Sequence, residues 1–322
     1  MRCVLVGNYG VGNLGDDALR SYFLTGFPEI DWITTSVHPR GETEVPRLPA
    51  GLRSILGTPW WRTIKAFRHS DAIVFGGGSL FTDVESSFAC FLWWLHGLVG
   101  VLLGKKIILA FQGIGPFRTR RGEWFARWVV RRSSFISVRD ASSAERVGTW
   151  RTNLPIVQTF DPVFSLMAKQ NNIIDTKDVF IVIPRRNSGE SFQRALAEFV
   201  LQHPASAVRC LLMQPDDPEE RKVIERINGV LGRVPEVRDV RTLSDLMEQI
   251  SRASFVLTER YHGALAAIAL EKPLRIISQG EGDKLWVLER MLKRGEGERG
   301  ALLIAVQRGE KALRRYFSLR AN

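Results

Sequence analysis

The sequence predicts an α/β protein built from two doubly wound, Rossmann-like domains facing a cleft. Three observations predict it. Short apolar runs of strand character alternate with segments of helical periodicity along the chain. Glycine-rich turns follow directly on several of those runs, in "GNYGVGNLGDDAL" (residues 7–19), "VFGGGSLFTD" (74–83) and "FQGIGP" (111–116). The polar stretch "AKQNNIIDTKD" (168–178) divides the 322 residues, and the alternation starts afresh after it.

The elements follow in order. Cys3–Val6 is an apolar run and opens the first sheet. Asp16–Leu24 is the first helix, with Asp16 and Asp17 where acidic side chains cap free N–H groups. Asp31–Ser36 is the second strand and Trp60–Arg68 the next helix. Ala72–Phe75 is an apolar strand leading into three glycines, and Phe88–Leu103 is an uncharged helix. Lys106–Phe111, Phe135–Val138 and Pro155–Gln158 complete the first sheet, with helices at Gly122–Arg131 and Ala141–Val147 between them. After the polar stretch come strands at Val179–Ile183, Val208–Met213, Glu236–Asp239, Phe255–Thr258 and Leu274–Ile277. Helices at Ser191–Leu201, Pro218–Leu231, Ser244–Ser251, Gly263–Leu270 and Asp283–Leu292 alternate with them. The N-terminal domain is thus expected over 1–167, and the C-terminal one over 178–322 with a C-terminal helix. In such sheets ligands bind at the carboxyl ends of the strands, where most of the notable motifs fall.

Composition narrows the function. Hydrophobic residues at 45% and charged ones at 25% describe a globular chain. Cys3, Cys90 and Cys210 are far apart, with no CxxC pair and no Cys/His cluster. A disulfide framework and a metal site are therefore not expected, and a reducing cytoplasm fits best. The N-terminus runs straight into a strand, with no signal-peptide pattern. The net charge of +11 favours anionic partners such as phosphates, acidic glycans or an anionic membrane surface. Nucleic acid is not expected, because no zinc finger or RNA-binding signature accompanies the basic clusters. "FACFLWWLHGLVGVLLG" (88–104) is short for a membrane span and contains His96. It reads first as a helix buried against the first sheet. Trp93, Trp94 and the pair Lys105 and Lys106 keep membrane contact as the alternative, and Trp60 and Trp61 add to it.

The first glycine turn has the spacing Gly10-x-Gly12-x-x-Gly15 of a dinucleotide loop. Asp16 and Asp17 would repel a pyrophosphate there, so no nicotinamide or flavin cofactor is expected. Gly76, Gly77 and Gly78 let backbone approach a ligand closely, and Ser79 and Asp83 can orient hydroxyls. A basic set stands apart from these. Arg139 ends a strand in "SVRD", Arg260 and His262 end another in "TERYHGALAA", and Lys284 follows the next. Together they suit a phosphate or carboxylate clamp. Taken singly, His262 is also a plausible helix cap, and Arg139 could pair with Asp140 or Glu145.

"GNYGVGNLGDDAL", "GGGSLFTD", "QGIGP", "SVRD", "DPVF" (161–164) and "ERYHGALAA" occur in this order. The ordered set resembles the polysaccharide pyruvyl transferase family, from about residue 2 to about residue 290. The resemblance implies a glycosyltransferase-B-like architecture, the C-terminal domain on the donor side and the N-terminal one on the acceptor side. It implies transfer of pyruvate from phosphoenolpyruvate to a sugar as a ketal, on a cell-surface glycan or its lipid-linked precursor, without a cofactor. Arg139, Arg260 and His262 match the family's basic site, and Asn13 and Asp16 its N-terminal loop. Lys284 matches less closely, in "SQGEGDK". The donor set expected is then Gly113, Arg139, Arg260, His262 and Lys284, and the acceptor set Asn13, Asp16, Gly77, Ser79 and Asp83. His262 and Asp16 are the catalytic candidates. Two rivals share the sequence features: a glycosyltransferase using a nucleotide sugar, and a non-catalytic protein binding acidic glycan or membrane.

Overall fold

A computed structural model describes the chain apart from residues 50, 85, 151, 171–178, 205, 282 and 322. Most of the expected linker at 168–178 therefore lies outside the described residues. The chain forms two compact units, Met1–Val163 with Ile304–Asn322 and Phe164–Leu303. Both are Rossmann-like.

The first unit holds strands β1 (Arg2–Val6), β2 (Asp31–Ser36), β3 (Glu44–Pro46), β4 (Ala72–Gly76), β5 (Lys106–Gln112), β6 (Ser133–Val138) and β7 (Ile156–Gln158). Its helices are α1 (Leu14–Gly26), α2 (Leu52–Gly57), α3 (Trp61–Arg68), α4 (Ser87–Leu102), α5 (Arg120–Arg132) and α6 (Ala141–Thr149). All neighbouring strands are parallel, in the order β3-β2-β1-β4-β5-β6-β7. The order reverses between β1 and β4, which is where a doubly wound sheet opens its ligand crevice.

After α7 (Val163–Ala168) the second unit carries β8 (Val179–Ile183), α8 (Glu190–Gln202), β9 (Ala207–Leu212), α9 (Pro218–Leu231), β10 (Glu236–Asp239) and α10 (Leu243–Ser251). It continues through β11 (Phe255–Thr258), α11 (Tyr261–Ala269), β12 (Leu274–Ile276) and α12 (Lys284–Lys293). This parallel sheet runs β10-β9-β8-β11-β12, and its switch point lies between β8 and β11.

The C-terminal helix α13 (Arg299–Ala321) departs from the expected boundary. From Ile304 onward it belongs to the first unit, not to the second. Its buried residues Leu302, Val306, Leu313 and Phe317 recur at helical spacing. The Phe317 ring meets Phe27 edge-on at 5.9 Å, and the Tyr316 hydroxyl lies 2.7 Å from Ser134 Oγ. Arg314 Nη1 donates to Glu29 at 2.7 Å. Its apolar stripe settles on the first unit through Phe317, which packs edge-on against both Phe27 and Trp32. The short β3, α2 and α7 are not foreseen in the sequence, having too few residues to show a period.

The α4 helix buries one face on the first sheet, as expected. His96 on that face is fully buried. Its Nε2 accepts from the Leu48 N–H at 3.0 Å, which leaves the proton on Nδ1 for the Leu92 carbonyl at 2.8 Å. Burial pulls its pKa from 6.5 down to about 4, and Arg47 adds to the effect. Folding therefore favours the neutral ring. That stability is fully present above the unfolded value near 6.5 and is lost as pH falls towards 4, a loss of about 3 kcal/mol. His96→Gln should lack this component. The difference in unfolding free energy between the two proteins, followed by denaturant titration, should change sharply between those two pH values and be flat above them.

All three cysteines are buried free thiols, and burial pushes Cys3 and Cys90 up to about 12, so neither is a nucleophile. Among the described residues no helix is long and apolar enough to cross a membrane.

Candidate functional site

Each sheet gathers a polar constellation at the carboxyl edge of its switch point. In the first unit the turn after β1 feeds α1. Asn13 caps that helix, its side chain accepting from the Gly15 N–H at 3.0 Å. Asp16, in the first turn, accepts from Asn8 Nδ2 at 3.0 Å and is partly exposed. The turn after β4 faces it. Gly77 and Gly78 have φ of 75° and 78°, a conformation that glycine adopts freely. A Cβ on Gly78 would lie 3.7 Å from Asp16 Oδ1, so this backbone runs beside the carboxylate.

The turn is held from below. Phe111 in β5 has φ 56°, and the register of β5 against β6 slips there. The irregularity aims the wholly buried Gln112 side chain at the β4 turn, where Nε2 donates to the carbonyls of Phe75 (3.0 Å) and Gly77 (2.8 Å). Arg139, 5% exposed at the end of β6, pairs with buried Asp161 at 3.3 Å and with Asp140 at 3.8 Å. Its Nη2 donates to Ser79 Oγ. Gly113 lies against this group. A Cβ there would sit 2.8 Å from both Arg139 Nε and Ser79 Oγ, so a side chain would have to displace one of them.

In the second unit the turns after β8, β9, β11 and β12 contribute. Arg260 precedes α11 as its N-cap residue, without a side-chain cap on the helix. Its Nη2 donates to Glu220 at 2.7 Å and Gln214 at 3.1 Å, and its Nε to the Pro184 carbonyl at 3.2 Å. Burial pulls the guanidinium below its usual value, against the pull of Glu220. Among the described residues nothing accepts from Nη1, which leaves one edge of the guanidinium for an anion. His262 lies in the first turn of α11, partly exposed, with its ring edge-on to Tyr261 at 5.4 Å. Lys284 Nζ stands 5.9 Å from the Tyr261 ring centre. Glu259 is buried and accepts from Ser188 Oγ, and burial pushes its carboxyl above the ordinary range against that hydrogen bond. Arg185 and Asn187 reach Gln279 from the β8 turn.

The model of the polysaccharide pyruvyl transferase family matches residues 13–281, spanning both constellations. The chain belongs to that family. It is a transferase. Solved structures of similar fold include HepE of Anabaena in complex with UDP and glucose, at 12% identity, TM-score 0.58 and 99% coverage of both chains. UDP-GlcNAc 2-epimerase of Neisseria meningitidis, bound to UDP-GlcNAc, aligns at 11% identity and TM-score 0.59 over 100% of both chains. The Methanocaldococcus jannaschii epimerase aligns at 12% identity and 0.61, covering 98% of this chain and 99% of that one. These likenesses establish a glycosyltransferase-B-like fold. No curated protein matches the chain.

The transferase's expected residues divide between the units. Asn13, Asp16, Gly77, Ser79 and Gly113 stand on one rim of the first. Arg260, His262 and Lys284 stand on one rim of the second. Arg139, expected in the donor clamp with those three, belongs to the first unit, where Asp161 and Asp140 balance its charge. Through Ser79 it also braces the glycine turns. Asp83, expected to orient a hydroxyl, is bonded within the first unit. It is 5% exposed and accepts from the Thr119 N–H (2.8 Å), the Thr119 hydroxyl (2.5 Å) and the Arg118 N–H (2.5 Å). Burial opposes its charge, but these bonds win and hold its carboxyl low, fixing the start of α5. Asn8, Gln112, Glu220 and Glu259 were not foreseen. Glu220 follows Pro218 at a helix start, where an acidic residue reads as solvated, and nothing local signals that it is fully buried.

Proposed function

We propose that this transferase moves pyruvate from phosphoenolpyruvate onto two hydroxyls of a glycan, or of its lipid-linked precursor, at the cytoplasmic face of the membrane. One observation carries the reading: within a pyruvyl transferase chain, Arg260 keeps one donor edge open beside the uncapped start of α11 and His262. Phosphoenolpyruvate is a planar molecule with two anionic groups, and a helix N-terminus with a fixed guanidinium is built for such an anion.

A proton added to the methylene carbon makes the adjacent carbon electrophilic. One sugar hydroxyl adds there and gives its proton to a base. The carbon–oxygen bond to phosphate then breaks, and a second hydroxyl closes the ketal with loss of its own proton. Arg260 and the first-turn N–H groups of α11 stabilise phosphate as charge builds on it. Lys284 adds a cation on the same rim. His262 exchanges a proton with the donor or its phosphate. In the first unit Asp16, steadied by Asn8, orients and deprotonates a hydroxyl, while Asn13, Gly77 and Ser79 line its approach. Gly113 and Arg139 keep that rim in register.

The donor is testable by ligand-linked stability. Phosphoenolpyruvate at roughly a hundredfold excess over its Kd should stabilise the protein by about 2.7 kcal/mol, raising the unfolding midpoint by several degrees. UDP-glucose and UDP-GlcNAc should leave the midpoint unchanged. A shift with a nucleotide sugar and none with phosphoenolpyruvate would replace this reading with a glycosyltransferase.

A further inference from the structure

The α4 helix is uncharged along its whole length, yet only one of its faces is buried. The outward stripe of Phe88, Phe91, Leu98 and Leu102 is half-buried or exposed, reaching 53% at Phe88 and 74% at Leu102. The α5 helix widens it. Trp94 of α4 lies 5.1 Å from Phe125, 5.9 Å from Trp124 and 5.9 Å from Trp128, and Trp124 is itself 53% exposed. The result is a continuous aromatic and aliphatic surface on two adjacent helices. Such a surface on a water-soluble unit marks a docking face.

Its border is basic. Arg120, Arg121, Arg127, Arg131 and Arg132 of α5 are all exposed. The Arg132 guanidinium lies over the Trp128 ring at 3.9 Å, so a cation is held at the edge of the apolar patch. The lone acid of α5, Glu123, accepts from Trp150 Nε1 at 3.2 Å. Apolar and tryptophan side chains with exposed arginines on the same helix are the pattern of a helix pair lying in a membrane interface.

We infer that the α4–α5 face docks this protein on an anionic lipid surface, with Phe88 and Trp124 entering the headgroup layer. A second copy of the chain fits less well. A symmetric contact would set the five arginines of α5 against their own equivalents, whereas anionic headgroups neutralise them. Trp93, one of the tryptophans that suggested membrane contact in the sequence, is not part of this surface; it is buried beneath Arg47. The docking does not depend on which donor is used. It has a consequence for the acceptor that does rest on the proposed function. Both helices begin at the carboxyl edge of the first sheet, the edge that carries Asp16, so a lipid-linked saccharide would be presented beside its binding rim.

Vesicle pelleting tests this. The protein should pellet with vesicles of phosphatidylcholine and phosphatidylglycerol, remain in solution with phosphatidylcholine alone, and be released as salt rises. Phe88→Ser/Trp124→Ser, both at exposed positions, should lose most of the binding with the unfolding midpoint kept. Arg120→Gln/Arg121→Gln should weaken it roughly thirtyfold, about fivefold for each charge. No binding by the wild type, or unaltered binding by both variants, overturns the inference. So does self-association of the wild type without lipid that Phe88→Ser/Trp124→Ser abolishes, since the face would then be covered by a second copy.

Discussion

His262→Asn is expected to lower turnover by on the order of 10²-fold or more at saturating donor and acceptor, with the fold intact. The expectation follows from position. His262 is in the first turn of α11, two residues after Arg260, at the switch point of the second sheet. Gly263 beside it pins that turn, since a Cβ there would lie 2.7 Å from Ile183 Cδ1 and 2.8 Å from Thr258 Oγ1. The ring is partly exposed, so shortening it empties little of the core. Asparagine is a good residue near a helix start and keeps one donor and one acceptor, so a purely capping histidine would be replaced with little loss. It cannot take up or release a proton near neutral pH. The split between constants separates the remaining roles. A fall in kcat with KM little changed marks a proton donor or acceptor in the transition state. A rise in KM alone marks a hydrogen bond to bound phosphate. A folded His262→Asn protein with near-normal kcat and KM ends the catalytic assignment.

Much of this site was legible in the sequence because its parts are local. A strand, a glycine turn and a helix start occupy about a dozen residues, and the crevice rule says where they point. Asp16, Gly77, Arg260 and His262 therefore fall at strand ends on the amino-acid pattern alone. What could not be read was which polar groups spend their bonding capacity on the protein itself. Asp83 and Ser79 sit close after the same glycines and look equivalent in sequence. Asp83 is consumed by the start of α5, 35 residues on, while Ser79 accepts from Arg139, 60 residues on, and keeps its hydroxyl proton. Arg139 reads as basic and at a strand end, but its counter-ion Asp161 comes from beyond the next strand. The α13 helix failed for a related reason. Its stripe of Leu302, Val306, Leu313 and Phe317 is visible in the sequence, but the unit that it covers is decided by partners far away in the chain, such as Phe27 and Trp32. Alternating βα units therefore reveal the fold, while the pairing of charges across them is a tertiary property.

Arg260→Met should cost about 3–5 kcal/mol of stability as well as donor binding, and the two losses can be separated. Glu220 is fully buried, and Arg260 is the cation that pairs with it, at 2.7 Å. Removing the guanidinium leaves a carboxylate in the interior with its remaining support from the Met213 N–H at 3.0 Å. An uncompensated charge there is far more damaging than the loss of a surface pair. The double variant Arg260→Met/Glu220→Gln removes both charges, keeps a carbonyl for the Met213 N–H, and should recover most of the lost stability in denaturant unfolding. Turnover should not recover with it, because the open Nη1 edge is what the proposed function assigns to the donor. Phosphoenolpyruvate should likewise fail to raise the unfolding midpoint of the double variant. If the single variant is as stable as wild type, the buried pair is not the scaffold described. If the double variant regains both stability and turnover, Arg260 serves only to neutralise Glu220, and the anion must be held by Lys284, His262 and the start of α11 without it.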